Sequence, residues 1–137
     1  MKTTFDTDAI LFSLLKNSAV KNAISGGIYV GEGRPDNSED EDIVVNTIYL
    51  TQDFLPQIGT SNVNIYVPDT YVEIKGMKQK KSNRVRLKAL SERTMDVLKN
   101  ANVEGLMFTV ESQNTLALPD IGQHFVNIRI NWNIQTE

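Results

Sequence analysis

A chain of 137 residues, 40% hydrophobic and 23% charged with a net charge of −3, has the makeup of one ordinary globular domain, 1–137. The absence of cysteine excludes disulfides and thiol chemistry, and no apolar run approaches the ~18 residues of a membrane span. The opening MKTTFDTDAI carries acids where a secretory leader carries bases, so a soluble cytoplasmic product with no membrane partner is expected.

Asp6 or Thr7 can cap a first helix, with Ile10, Leu11, Leu14, Leu15 and Ile24 spaced by threes and fours toward a core. Gly26 and Gly27 then stop it, supplying the left-handed backbone common at helix ends, and Ile28, Tyr29 and Val30 read as a short strand or extended exit. Residues 31–42 combine Gly33, Pro35, Asn37 and Ser38 with the acids Glu39, Asp40, Glu41 and Asp42, which predicts a solvated loop. Residues 43–50 form an apolar, β-branched strand, possible to cover on both faces. Residues 52–61, with Pro56 and Gly59, are a connection. Residues 62–67 alternate with Val63, Ile65 and Val67 inward and Asn62, Asn64 and Tyr66 outward.

Pro68 ends that strand. Residues 69–82 read as a hairpin arm or flexible loop: Tyr71, Val72 and Ile74 suit a sheet, whereas Gly76, Met77 and the lysines suit an excursion. A helix over 83–100 follows, with Leu87, Leu90, Thr94, Val97, Leu98 and Ala101 inward and Asn100, Asn102 and Gly105 ending it. Leu106, Phe108 and Val110 alternate in the next strand, and 113–122 reads as a turn. The last stretch, 123–137, alternates Val126, Ile128, Ile130, Trp132 and Ile134 with Asn127, Arg129, Asn131 and Asn133, which is a long strand in need of a covering helix. The expected fold is α+β: an antiparallel sheet of four to five strands with two helices packed on one face.

Chemistry is sparse. The only histidine, His124, has no cysteine to pair with and only Asp120 close by in sequence, so it reads as an exposed or strand-edge residue. The acids at 39–42 lack the alternating ligands and turn glycine of a calcium loop, leaving a solvated loop or one facing basic groups on a neighbouring subunit. The glycines at 26, 27, 31 and 33 do not form a nucleotide-binding pattern. Charge is uneven, with 4 Lys/Arg against 10 Asp/Glu in residues 1–70 and 10 against 7 in 71–137. The basic side chains Lys75, Lys78, Lys80, Lys81, Arg84, Arg86 and Lys88 crowd into 75–88, a candidate interface or DNA-facing segment. It suits either phosphates or an acidic protein surface. Trp132 belongs to the core. Outward Tyr66, Asn127, Arg129 and Asn131 face solvent or a wet subunit interface.

In element order the chain resembles the phage tail-completion proteins, the tail-terminator or head–tail joining family of long-tailed bacterial viruses. The likeness runs from the first helix into Gly27-Ile28-Tyr29 and a polar, proline-containing loop, through the strand at 43–50, to Gly59 and Val63-Asn64-Ile65-Tyr66-Val67. The helix at 83–100 and the closing strand at 125–132 complete it. The basic stretch at 68–82 is longer than the family's usual passage from strand to helix. The resemblance implies a virion protein without catalytic residues, cofactor or metal. It would assemble in the host cytoplasm as a ring, commonly a hexamer, that sits on the tail tube and offers a surface to the head connector.

Overall fold

In a computed structural model of the protein, described for residues 1–101 and 106–137, helix α1 (Thr4–Lys16) and a single turn α2 (Val20–Ala23) come first. Strands β1 (Ile28–Val30), β2 (Asp42–Leu50) and β3 (Gln57–Pro68) follow. A hairpin of β4 (Thr70–Ile74) and β5 (Met77–Lys81) leads to helix α3 (Arg84–Lys99). Strand β6 (Leu106–Leu118), a 3-10 turn at Pro119–Ile121 and β7 (Gln123–Ile134) close the chain. The fold is α+β, as the sequence implies.

Five strands form one sheet in the order β1-β2-β3-β7-β6. Every neighbouring pair is antiparallel except β1 and β2, so the expected antiparallel sheet is mixed at one margin. The alternation in β7 does what its spacing demands. Val126, Ile128, Ile130, Trp132 and Ile134 are all buried, facing the same side as Val63, Ile65 and Val67 of β3 and Ile43 and Val45 of β2. Leu11 and Leu15 of α1 and Leu87, Leu90 and Leu98 of α3 cover that side. Each such side chain contributes about 1.5–3 kcal/mol relative to exposure, so this single layer contact carries most of the fold. Phe108 of β6 packs on Trp132 with ring centroids 5.0 Å apart.

A chain of hydroxyls runs through this apolar layer. The Trp132 indole N–H donates to Ser61 Oγ at 2.7 Å; Ser61 lies 2.6 Å from Thr47 Oγ1, and Thr47 lies 2.7 Å from Thr7 Oγ1. Thr7 in turn donates to the Thr4 carbonyl at 2.9 Å. One proton arrangement, each hydroxyl donating to the next, satisfies every member, as buried polar groups require. The relay ties β7, β3, β2 and α1 together.

Several boundaries differ from the sequence reading. The first helix is capped at Thr3, one turn earlier than expected, and Asp6 accepts from the Thr3 amide at 2.7 Å and hydroxyl at 3.0 Å. These bonds, the backbone one foremost, hold the Asp6 carboxyl below its ordinary pKa. The helix also breaks after Lys16 and resumes for one turn, where the Ser18 hydroxyl donates to the Leu15 carbonyl at 2.7 Å. Gly26 and Gly27 have ordinary backbone angles, and close approach explains Gly26: an added Cβ there would lie 1.9 Å from Asp42 Oδ1. Strand β3 starts at Gln57, inside the expected connection. The expected turn at 113–122 is strand as far as Leu118, paired residue by residue with β7. The helix stops at Asn102 and Gly105 and the side chain of Leu106 lie outside the described residues.

Candidate interaction surfaces

The β4–β5 hairpin is a two-stranded sheet of its own, separate from the five-stranded one. Lys75 and Gly76, both at positive φ, make its tight turn, and the register pairs Tyr71 with Lys80, Glu73 with Lys78, and Ile74 with Met77. Opposite residues share a face, so the arm is two-sided. One side carries Val72, Ile74, Met77, Gln79 and Lys81, and the other carries Tyr71, Glu73, Lys78 and Lys80. Lys78 and Lys80 lie 5.0 and 5.9 Å from the Tyr71 ring centroid. Tyr71 and Met77 are more than 60% exposed. A two-stranded hairpin is at best marginally stable alone in water, and this one leaves Tyr71, Val72, Ile74 and Met77 exposed.

Its root is firmly held. Asp69 donates its amide to the Gly122 carbonyl at 2.9 Å, and His124 Nδ1 meets Asp69 Oδ1 at 2.6 Å. His124 is thus a half-buried strand residue that clamps the arm to β7, with Asp69 and not Asp120 as its partner. The sequence does not reveal that pairing, because 55 residues separate the two.

Loop 31–41 crosses the outer sheet face beside that root. Asp42 is 1% exposed and organises the loop. Its carboxylate accepts from the Gly27 amide at 2.9 Å, from Arg34 Nε at 2.8 Å and from the Ser38 hydroxyl at 2.6 Å. Arg34 continues to Gln123 Oε1 at 2.9 Å and lies 4.1 Å from the Tyr66 ring centroid, which itself stacks on Phe125. Glu41 receives two bonds from Arg86, each 2.7 Å, and Arg86 also donates to the Ala23 carbonyl at 2.7 Å. The Glu41 carboxylate raises the Arg86 pKa above its ordinary value.

The charged candidates therefore divide. Glu41, Asp42 and Arg86 spend their charge inside the molecule. Glu39 and Asp40, with Glu32 and Asp36 of the same loop, are exposed and make no ion pair among the described residues, and neither do Lys75, Lys78, Lys80 and Lys81. Arg84 is exposed at the start of α3, on the rim of a groove of about 450 Å³ between α3 and β6. Among the described residues there is no group of three metal-ligating side chains.

Two further surfaces are open. Among the described residues the outer sheet face carries no helix: Asn127 Nδ2 donates to Asn62 and Asn64 at 3.0 and 2.8 Å, an amide ladder flanked by Arg129 and Asn131. At the end of the sheet away from the arm, Ile48, Tyr49, Phe54, Leu55 and Ile58 are exposed around the 51–56 turn. Among the described residues no helix is long and apolar enough to cross a membrane. Compared with known proteins, the chain matches no family model and no curated protein.

Proposed function

We propose that the protein is a non-enzymatic structural component of a phage virion, a homo-oligomeric, hexameric ring at the head–tail junction. In this reading it assembles in the host cytoplasm, terminates the tail tube and joins it to the head connector. The observation that carries the proposal is the β4–β5 arm, a two-stranded sheet separate from the main one that exposes apolar groups water disfavours. The exposed apolar end at 48–58 is a second surface suited to an adjoining protein, such as the tube. Together with the element order noted above, these features suit a molecule that works by contact. Light scattering coupled to size-exclusion chromatography at tens of micromolar tests it, with a ring mass expected. A strict monomer that also fails to bind tail-tube protein refutes it.

The second reading is a nucleic-acid module, favoured by Tyr71 set between Lys78 and Lys80, a stacking group beside phosphate-binding charges. Titration of DNA at two salt concentrations separates the readings, since phosphate contacts weaken steeply with salt. In a ring the same arm can meet the packaged DNA, so tight binding by the isolated monomer is the result that favours this alternative.

A further inference from the structure

We infer that the basic side of the β4–β5 arm docks on the 31–42 loop of a second copy of this chain, an inference that rests on the ring reading and names its contact. Four ammonium groups, at Lys75, Lys78, Lys80 and Lys81, stand in and around the arm against the single carboxylate of Glu73. Four carboxylates, at Glu32, Asp36, Glu39 and Asp40, stand on the loop. The other charges near them are already matched, Arg34 with Asp42 and Arg86 with Glu41. Among the described residues both exposed sets go without an ion pair. The arm is thus net positive and the loop net negative, so the arm of one copy complements the loop of another.

The two elements are also prepared for this contact. The buried Arg34–Asp42 pair and the Ser38 hydroxyl fix the loop backbone, so the acids are presented from a set frame. The His124–Asp69 contact holds the arm's root to β7. Ordering both before association lowers the entropy cost of binding. Arm and loop are different surfaces, so each copy gives one contact and receives another. Such a head-to-tail contact closes into a ring where the rotation permits. Charges of this kind set register and encounter rate, while Tyr71, on the same side of the arm as Lys78 and Lys80, adds burial.

The test is a charge swap. One variant carries Lys78→Glu, Lys80→Glu and Lys81→Glu; the other carries Glu32→Lys, Asp36→Lys, Glu39→Lys and Asp40→Lys. All seven positions are exposed, so far-ultraviolet circular dichroism and Trp132 fluorescence should match the wild type, and Gln versions of the same sites serve if either variant fails to fold. Each variant alone should need at least about tenfold more protein to assemble, equivalent to ~1.4 kcal/mol. Mixed one to one they should assemble, because the acidic arm of the first meets the basic loop of the second. A mixture that stays monomeric overturns the docking. A wild-type ring whose assembly ignores both variants overturns the docking and leaves the ring reading standing. Wild type that never associates overturns both, and unchanged assembly with lost DNA retention assigns the arm to phosphates instead.

Discussion

Replacing Arg34 with Ala should destabilise the protein far more than an ordinary surface substitution. The Asp42 carboxylate beneath it is 1% exposed and would keep only the Gly27 amide and the Ser38 hydroxyl as partners. Breaking a buried pair from one side costs about 3–5 kcal/mol, because the remaining charge is left uncompensated. The Arg34 side chain is 14% exposed, and water can partly replace it, which puts the expected loss near 3 kcal/mol, the lower end of that range. Loss of packing on Tyr66 adds to it. With an unfolding entropy of about 2.1 cal/mol/K per residue, 137 residues convert ~3 kcal/mol into a fall in Tm of roughly 10 °C. Urea unfolding followed by Trp132 fluorescence measures the free energy directly. Asp42→Ala and the double variant complete a thermodynamic cycle, in which the double should cost at least about 1 kcal/mol less than the sum of the singles. A loss below about 1 kcal/mol for Arg34→Ala, the range of exposed ion pairs, would show that Asp42 is well hydrated and would refute the reasoning.

Ser61→Ala removes the acceptor of the Trp132 indole and the neighbour of Thr47; a loss of about 1–3 kcal/mol in chemical denaturation is expected for the orphaned buried groups. Gly26→Ala should cost more than about 2 kcal/mol, because its Cβ has to displace the Asp42 carboxylate at 1.9 Å and the Glu41 carbonyl at 2.7 Å. Asp6→Asn should cost about 0.5 kcal/mol at pH 7, a capping effect discounted for the exposed position. Because the folded carboxyl titrates below its ordinary 3.8, its stabilisation is present above that pH and disappears on further acidification, so the gap between wild type and variant in thermal melts should close below it. Exchanging residues 70–81 for a short Gly-Ser connection should leave the circular dichroism and Tm of the body nearly unchanged while removing self-association, since the arm lies outside the core.

What the sequence disclosed depended on how local the physical cause was. The alternation from Val126 to Ile134 is a period-two burial signal, and it correctly places the sheet face under α3. Helix α3 is legible at both ends, where Asn83 accepts from the Arg86 amide and Asn100 follows the last turn. Strand β6 was legible only through Val110. Beyond a shift in register at Val110/Ser112, residues such as Ser112, Gln113 and Asn114 bury almost nothing and are held as strand by pairing to β7, which leaves no periodic trace. The break in the first helix leaves no local sequence signal, because α2 is a single turn that packs on α3. At the candidate surfaces, the sequence marked the charged segments but could not separate free charges from matched ones. Arg86 and Glu41 lie 45 residues apart, and only the fold brings them together.

The two margins of the main sheet are unequal, and that limits how copies can meet. At one side β1 offers a backbone template of just three residues, whereas β6 at the other offers a strand of thirteen. Pairing of two β6 rims would produce a twofold couple and then stop, because neither member has a second long rim to extend. Larger closed assemblies therefore call for contacts through other surfaces, such as the arm or a sheet face, rather than continuation of the ribbon.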